Sequence, residues 1–138
     1  MIENSSDLIM IFENSGKTFG LELDHVERVI EKEALTPVPM APPAAKGIVF
    51  YRDNVLPVLN LLKLLDIDGK GEGDLLVIVR GVSEDFGVFS DRIYGIIPAD
   101  LLELEDIPFE KRENGYIQGT GKYNGIEFSL LDFLKLEI

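Results

Sequence analysis

The chain has 138 residues, with 25 acidic side chains against 13 basic ones, a single histidine and no cysteine. That length suits one domain or two very small halves sharing a core, and folding should bury roughly 68% of the unfolded surface. A formal charge of −12 argues against nucleic acid and anionic membranes as partners, and the missing cysteines exclude disulfide scaffolds, thiol catalysis and thiolate zinc sites.

The N-terminal residues Met1 to Asp7 carry acids where a signal peptide needs a positive region. Leu8 to Glu13 is a short apolar run fit for a buried strand, and Phe19-x-Leu21-x-Leu23 alternates as a half-buried strand should. Asp24 and Glu27 form a start signal for a helical turn, whose apolar face would be Val26, Val29 and Ile30. The longest uncharged stretch, Ala34 to Ala45, is proline-rich and far too short to cross a bilayer, so a soluble, cytoplasmic protein is expected. Gly47 to Tyr51 and Val55 to Leu59 flank Arg52-Asp53-Asn54, in which Asp53 and Asn54 tolerate the positive φ of a tight hairpin. Asn60 can cap a short helix from Leu61 to Leu65.

Asp68-Gly69-Lys70-Gly71-Glu72-Gly73 reads as a flexible polar linker. It lacks the residue order of a phosphate loop, and as a calcium loop from Asp66 it would place Val77 where the bidentate glutamate belongs. Asp74 to Arg80 is a second buried strand, Asn124-Gly125 marks a second hairpin, and Asp132 can cap a helix from Phe133 to Leu136.

The chain repeats itself. The twelve residues from Phe19 to Ile30 return 67 residues later as Phe86 to Ile97, with four identities and three aliphatic exchanges. At the same offset Leu8–Phe12 lies over Leu75–Val79, and at an offset of 72 Leu59–Leu64 lies over Leu131–Leu136. Two structural copies follow, about residues 8–66 and 75–138 of a single domain. Many short strands set off by turn signals favour a mainly β fold: two small five-stranded β-barrels related by a pseudo-twofold, with short helices.

No reaction centre emerges. His25 would have to serve any histidine-dependent site, yet it lies among acids and no serine stands in a nucleophile-elbow setting. What remains is a partner surface: a groove where the copies meet, lined by the segments Val26–Ile30 and Ile93–Ile97, with Arg52 at a hairpin tip. No metal or cofactor is expected.

The segment from Phe19-Gly20-Leu21-Glu22-Leu23 to Val29 resembles the opening of the CheW-like domain, as Leu35-Thr36-Pro37-Val38-Pro39 resembles its linker. Gly47–Arg52 with Val55–Leu61, Gly87–Ile93 and Tyr116–Gly119 are similar to its later signatures, in order along nearly the whole chain. The resemblance implies a non-enzymatic adaptor joining the cytoplasmic tip of chemoreceptors to the histidine kinase CheA. It also implies a receptor groove at Val26, Val29, Arg52, Leu75 and Ile96, and a kinase-facing role for Gly47. Three positions depart from the family pattern: Arg28 replaces a glutamate, Asp53 a glycine and Asn60 an aspartate. Arg28 reverses a charge, which points to a divergent paralogue or to another sensory pathway such as pilus-based motility.

Overall fold

The computed structural model describes residues 7–112 and 115–136; residues 1–6, where a targeting signal would sit, and the last two residues of the second copy lie outside the described part. Strand β1 (Leu8–Asn14) turns into β2 (Lys17–Glu22), a 3-10 turn spans Leu23–His25, and β3 (Val26–Glu31) follows. A second hairpin, β4 (Ala45–Tyr51) and β5 (Asn54–Leu59), leads into the one-turn helix α1 (Leu61–Leu64). The second half runs β6 (Leu75–Val79), β7 (Phe86–Ser90) and β8 (Arg92–Pro98), then the short β9 (Glu105–Asp106) and the hairpin β10 (Ile117–Tyr123) with β11 (Ile126–Leu131).

The strands form two sheets, ordered β8-β1-β2-β11-β10-β9 and β3-β6-β7-β5-β4. Under the repeat, β3, β6, β7, β5 and β4 correspond to β8, β1, β2, β11 and β10, so the two sheets share one topology. The registers agree residue by residue. Ile11 faces Gly20 as Ile78 faces Gly87, and the parallel pair Leu130 and Gly20 matches Val58 and Gly87. Even the bulges recur, at Ala45/Gly47 in one hairpin and Ile117/Gly119 in the other. The sixth strand has its own equivalent: β9 bonds β10 where, in the five-stranded sheet, Thr36 exchanges two hydrogen bonds with Ile48 of 2.8 and 2.9 Å. Each sheet thus curls until the chain leaving one edge returns to the other. Each also mixes the halves, because the hairpin β1–β2 joins strands of the second copy and β6–β7 joins strands of the first.

Burial explains the apolar runs. In β1, Ile9 and Ile11 enter the core of the six-stranded sheet, while Met10 and Phe12 enter a seam between the sheets. In β6, Leu76 and Ile78 fill the other sheet's core, while Val77 and Val79 join the same seam. Leu61, Leu62 and Leu65 beside α1, with Phe133 and Leu136, complete the seam. The repeated Phe-Gly has a packing cause. A Cβ on Gly20 would lie 2.8 Å from the Phe128 ring, and one on Gly87 2.8 Å from Leu76 Cδ1.

Several local expectations change. Val26–Ile30 is strand, not a helical turn, and Ile93–Ile97 likewise belongs to β8. The β-branched residues pair with β6, and a bulge between Val26 and Arg28 breaks the alternation into a helix-like spacing. Asp132 Oδ1 accepts from Leu134 N at 2.9 Å, but this caps a turn rather than a helix. The Asn60 cap of α1 is present, its side chain accepting from Lys63 N at 3.2 Å. At the β4–β5 turn the residues with positive φ are Arg52 and Asp53, not Asp53 and Asn54. The linker is pinned rather than flexible: Asn60 Nδ2 donates to Gly69 O, Lys46 Nζ to Lys70 O and Asn14 Nδ2 to Glu72 O.

Asn14, fully buried at the end of β1, also donates to Phe89 O of β7 at 2.6 Å, and Ser90 Oγ donates to Glu13 O at 2.8 Å. These bonds tie one sheet to the other. Asn14→Ala should cost about 1–3 kcal/mol by leaving buried carbonyls unpaired, measurable as a lower urea midpoint.

Candidate partner-binding groove

The alternation that fills the seam also decides what shows at its end. Leu75 has the phase of Val77 and Val79, and Leu8 that of Met10 and Phe12, so both belong to the seam-facing side. Val29 pairs with Val77 and packs on the seam cluster; Ile96 pairs with Met10. Val29 with Leu75 on one sheet and Ile96 with Leu8 on the other therefore occupy equivalent places under the pseudo-twofold. The seam cluster is buried, yet Leu8 keeps 40% and Ile96 49% of their surface exposed. Leu8 is a groove residue that the sequence reading missed, although the 67-residue repeat already aligned it with Leu75.

The other expected residues fall elsewhere. Val26 is buried in the seam beside the β3 bulge, opposite Val79 and at the far end of the β3–β6 ladder from Leu75. Arg52 stands apart at the tip of the β4–β5 hairpin, its guanidinium 5.3 Å from the Tyr51 ring centroid. It lines a cavity of about 440 Å³ with Glu27, Glu84, Asp85, Asn54 and Val55. Its φ of 49° is a left-handed conformation that a long side chain rarely takes. Gly47 forms the β4 bulge with φ +150°, and a Cβ there would sit 2.4 Å from Thr36 O and 3.2 Å from Leu35 Cδ1. Its glycine identity is thus demanded by backbone packing, whatever it faces.

Titratable groups near the seam are few. Glu22 has its pKa raised above the ordinary 4.5, first by burial and then by Asp7 and Asp132, against the lowering pull of His25. His25 Nε2 lies 3.8 Å from Glu22 Oε2. Tyr94 donates to Glu13 Oε1, and this bond raises the phenol's pKa. A second cavity of about 660 Å³ opens between Lys17, Glu103, Glu105, Lys122 and Glu127, away from the groove residues. Among the described residues no group of three or more His, Asp or Glu is placed to hold a metal, and no helix is long and apolar enough to cross a membrane.

Two equivalent curled sheets around a common apolar seam define a duplicated β module. The CheW-like domain model matches residues 8–137, and the chain belongs to that family. Among curated relatives, the chain is 28% identical over 119 residues to the chemotaxis protein CheW of Thermotoga maritima, covering 83% of this chain and 79% of that protein. It is 34% identical over 127 residues to protein FrzA of Myxococcus xanthus, covering 85% and 76% respectively. The scaffolding protein TtCheW of Thermoanaerobacter tengcongensis shares the fold, with a TM-score of 0.78 at 21% identity over 94% of this chain and 90% of that one.

Two measurements test this geometry. Gly47→Ala should cost roughly 1–3 kcal/mol and lower the melting temperature, so that any partner loss in this variant accompanies a loss of stability. Native Glu22 holds its proton to higher pH than the unfolded chain does, so stability falls as pH rises from about 4.5 through the raised value. Glu22→Gln should remove that fall. The variant should match the parent below the window and melt at higher temperature above it.

Proposed function

We propose that this chain is a cytoplasmic adaptor, with no chemistry of its own, that couples the cytoplasmic tip of chemoreceptors to the histidine kinase CheA. The receptor tip lies along the margin of the seam, against Val29 and Leu75 on one sheet and Ile96 and Leu8 on the other. Val26 supports that surface from below and Arg52 makes a separate contact at the hairpin tip. The kinase's own CheW-like domain docks on the barrel surface near Gly47. The observation that carries this reading is the exposure of Leu8 on the side of β1 that is otherwise buried, together with that of Ile96 on the neighbouring strand. Arg52 adds support: its left-handed backbone costs energy that Asn124, at the equivalent turn, largely avoids.

A second reading places the chain in another sensory pathway, such as pilus-based motility. The exposed Arg28 favours it, because it reverses the family's charge on the bulge of β3. Co-sedimentation with receptor-tip fragments and kinases of both pathways decides between the two. Capture by the chemotaxis pair at micromolar concentration supports the first, and capture only by the other pair replaces it.

Val29→Asp and Ile96→Asp should each weaken receptor-tip capture by about tenfold or more while the protein stays folded. Arg52→Asn, which installs the residue of the equivalent turn, should weaken the same capture while leaving the melting temperature unchanged or higher. An unchanged affinity in all three variants would remove the receptor from this groove.

A further inference from the structure

Lys32 and Lys46 both reach the ring of Phe89, with their ammonium groups 5.6 and 6.0 Å from its centroid. Phe89 is buried in the core of the five-stranded sheet, so the two cations gather over one end of that core. Lys46 Nζ is steadied by Lys70 O at 2.8 Å, a neutral acceptor that leaves its charge uncompensated. Among the described residues neither lysine shares in the ion pairs of His25 with Glu22, Arg80 with Glu27 or Arg92 with Glu13. Glu31, Glu72 and Asp74 are close along the chain, yet Asp74 meets this corner only through its carbonyl, bonded by Lys32 N at 2.9 Å.

A lysine stem laid over an aromatic ring is ordinary shielding, and one lysine would supply it. Two ammonium groups held at one ring repel each other, and a chain of charge −12 had acids in plenty to separate them. The fold does not ask for them either. The equivalent corner of the other sheet makes the same backbone bond, Ala99 N to Asp7 O at 2.8 Å, with Ala99 and Gln118 at the matching positions.

We infer that Lys32 and Lys46 form a clamp for a carboxylate-bearing peptide segment of a binding partner. Lys32 directly follows the Glu31–Leu75 pair and Lys46 directly precedes Gly47, so the clamp adjoins the Leu75 end of the groove. The partner chemistry follows from the field. The surrounding acids repel a polyanion over about a Debye length, ~10 Å, whereas one or two carboxylates on an otherwise neutral segment meet only the two lysines. The site itself is independent of the adaptor reading; only the identity of the protein that supplies the segment rests on it.

The test titrates the isotope-labelled full chain with a blocked Ala-Glu-Ala-Ala-Glu peptide, with its Gln counterpart and with a short oligothymidine as controls. Saturable shifts are expected at Lys32, Lys46 and Phe89 with the Glu peptide alone, weakening as salt rises. Lys32→Gln with Lys46→Gln should raise the dissociation constant about tenfold, while Lys46→Arg retains binding. Lys32→Gln alone keeps the test open should the double variant melt early, since its ammonium group bonds nothing the fold uses. Equal response to the Gln peptide, shifts spread alike over Lys17 and Lys122, or oligothymidine binding as tightly, would each overturn the clamp. Peptide binding without receptor-tip capture would sink the adaptor reading and leave the clamp standing; the reverse would do the opposite.

Discussion

In β1 and β6, neighbouring side chains are buried on opposite faces of the strand. Ile9 and Ile11 fill one sheet's core and Leu76 and Ile78 the other's, while Met10, Phe12, Val77 and Val79 meet in the seam. A strand buried on both faces cannot carry a polar residue at alternate positions, which is why both runs are continuously aliphatic or aromatic. Because each of these strands belongs to a hairpin lent to the other half's sheet, neither half can bury its own strands alone. The seam is therefore the condition for both sheets at once. Asn14 and Ser90 add polar bonds at its margin that fix how the sheets meet.

A duplicated backbone held by one seam leaves the outer surfaces free to diverge. The hairpin faces show it: Phe50 and Val55, a cross-strand pair, stay 67% and 54% exposed, where the other hairpin pairs Lys122 with Glu127. Opposite charges facing across strands suit water, whereas an exposed apolar pair does not. The turn residues Arg52-Asp53 stand where Asn124-Gly125 would turn with less strain. Phe89, beneath the two lysines, has Glu22 as its repeat counterpart, a carboxyl whose pKa burial raises. The two sheets thus carry different side chains at equivalent positions, so the pseudo-twofold holds for the backbone and not for the outer surface.

Much of this was legible because the repeat encodes pairing as well as shape. Ile11 opposite Gly20 and Ile78 opposite Gly87 arise from the same offset that aligns the two sequences. The strand exchange between halves was not legible, since an offset tells which segments are alike and not which sheet receives them. The helical reading of Val26, Val29 and Ile30 failed because a bulge produces an i, i+3, i+4 spacing within a strand. The glycine-rich linker misled for a related reason. Its composition is that of a flexible segment, but Asn14, Lys46 and Asn60, distant in sequence, hold its carbonyls. Four groove positions carried over from the family stand on the strands that build the seam, while Arg52 lies on a hairpin tip, where sequence similarity gave no measure of distance.

The net charge has a different meaning once the surface is known. An open apolar groove on a neutral protein would invite its own copies and any other exposed hydrophobe. With a formal charge of −12, other copies of this chain are repelled from such a surface. Against such a background a local cation acts by contrast. Arg28 stands exposed on the β3 bulge where its repeat counterpart is Gly95, so the fold tolerates an absent side chain there and does not require a positive one. A charge that the backbone does not need bears on partner choice more directly than on stability.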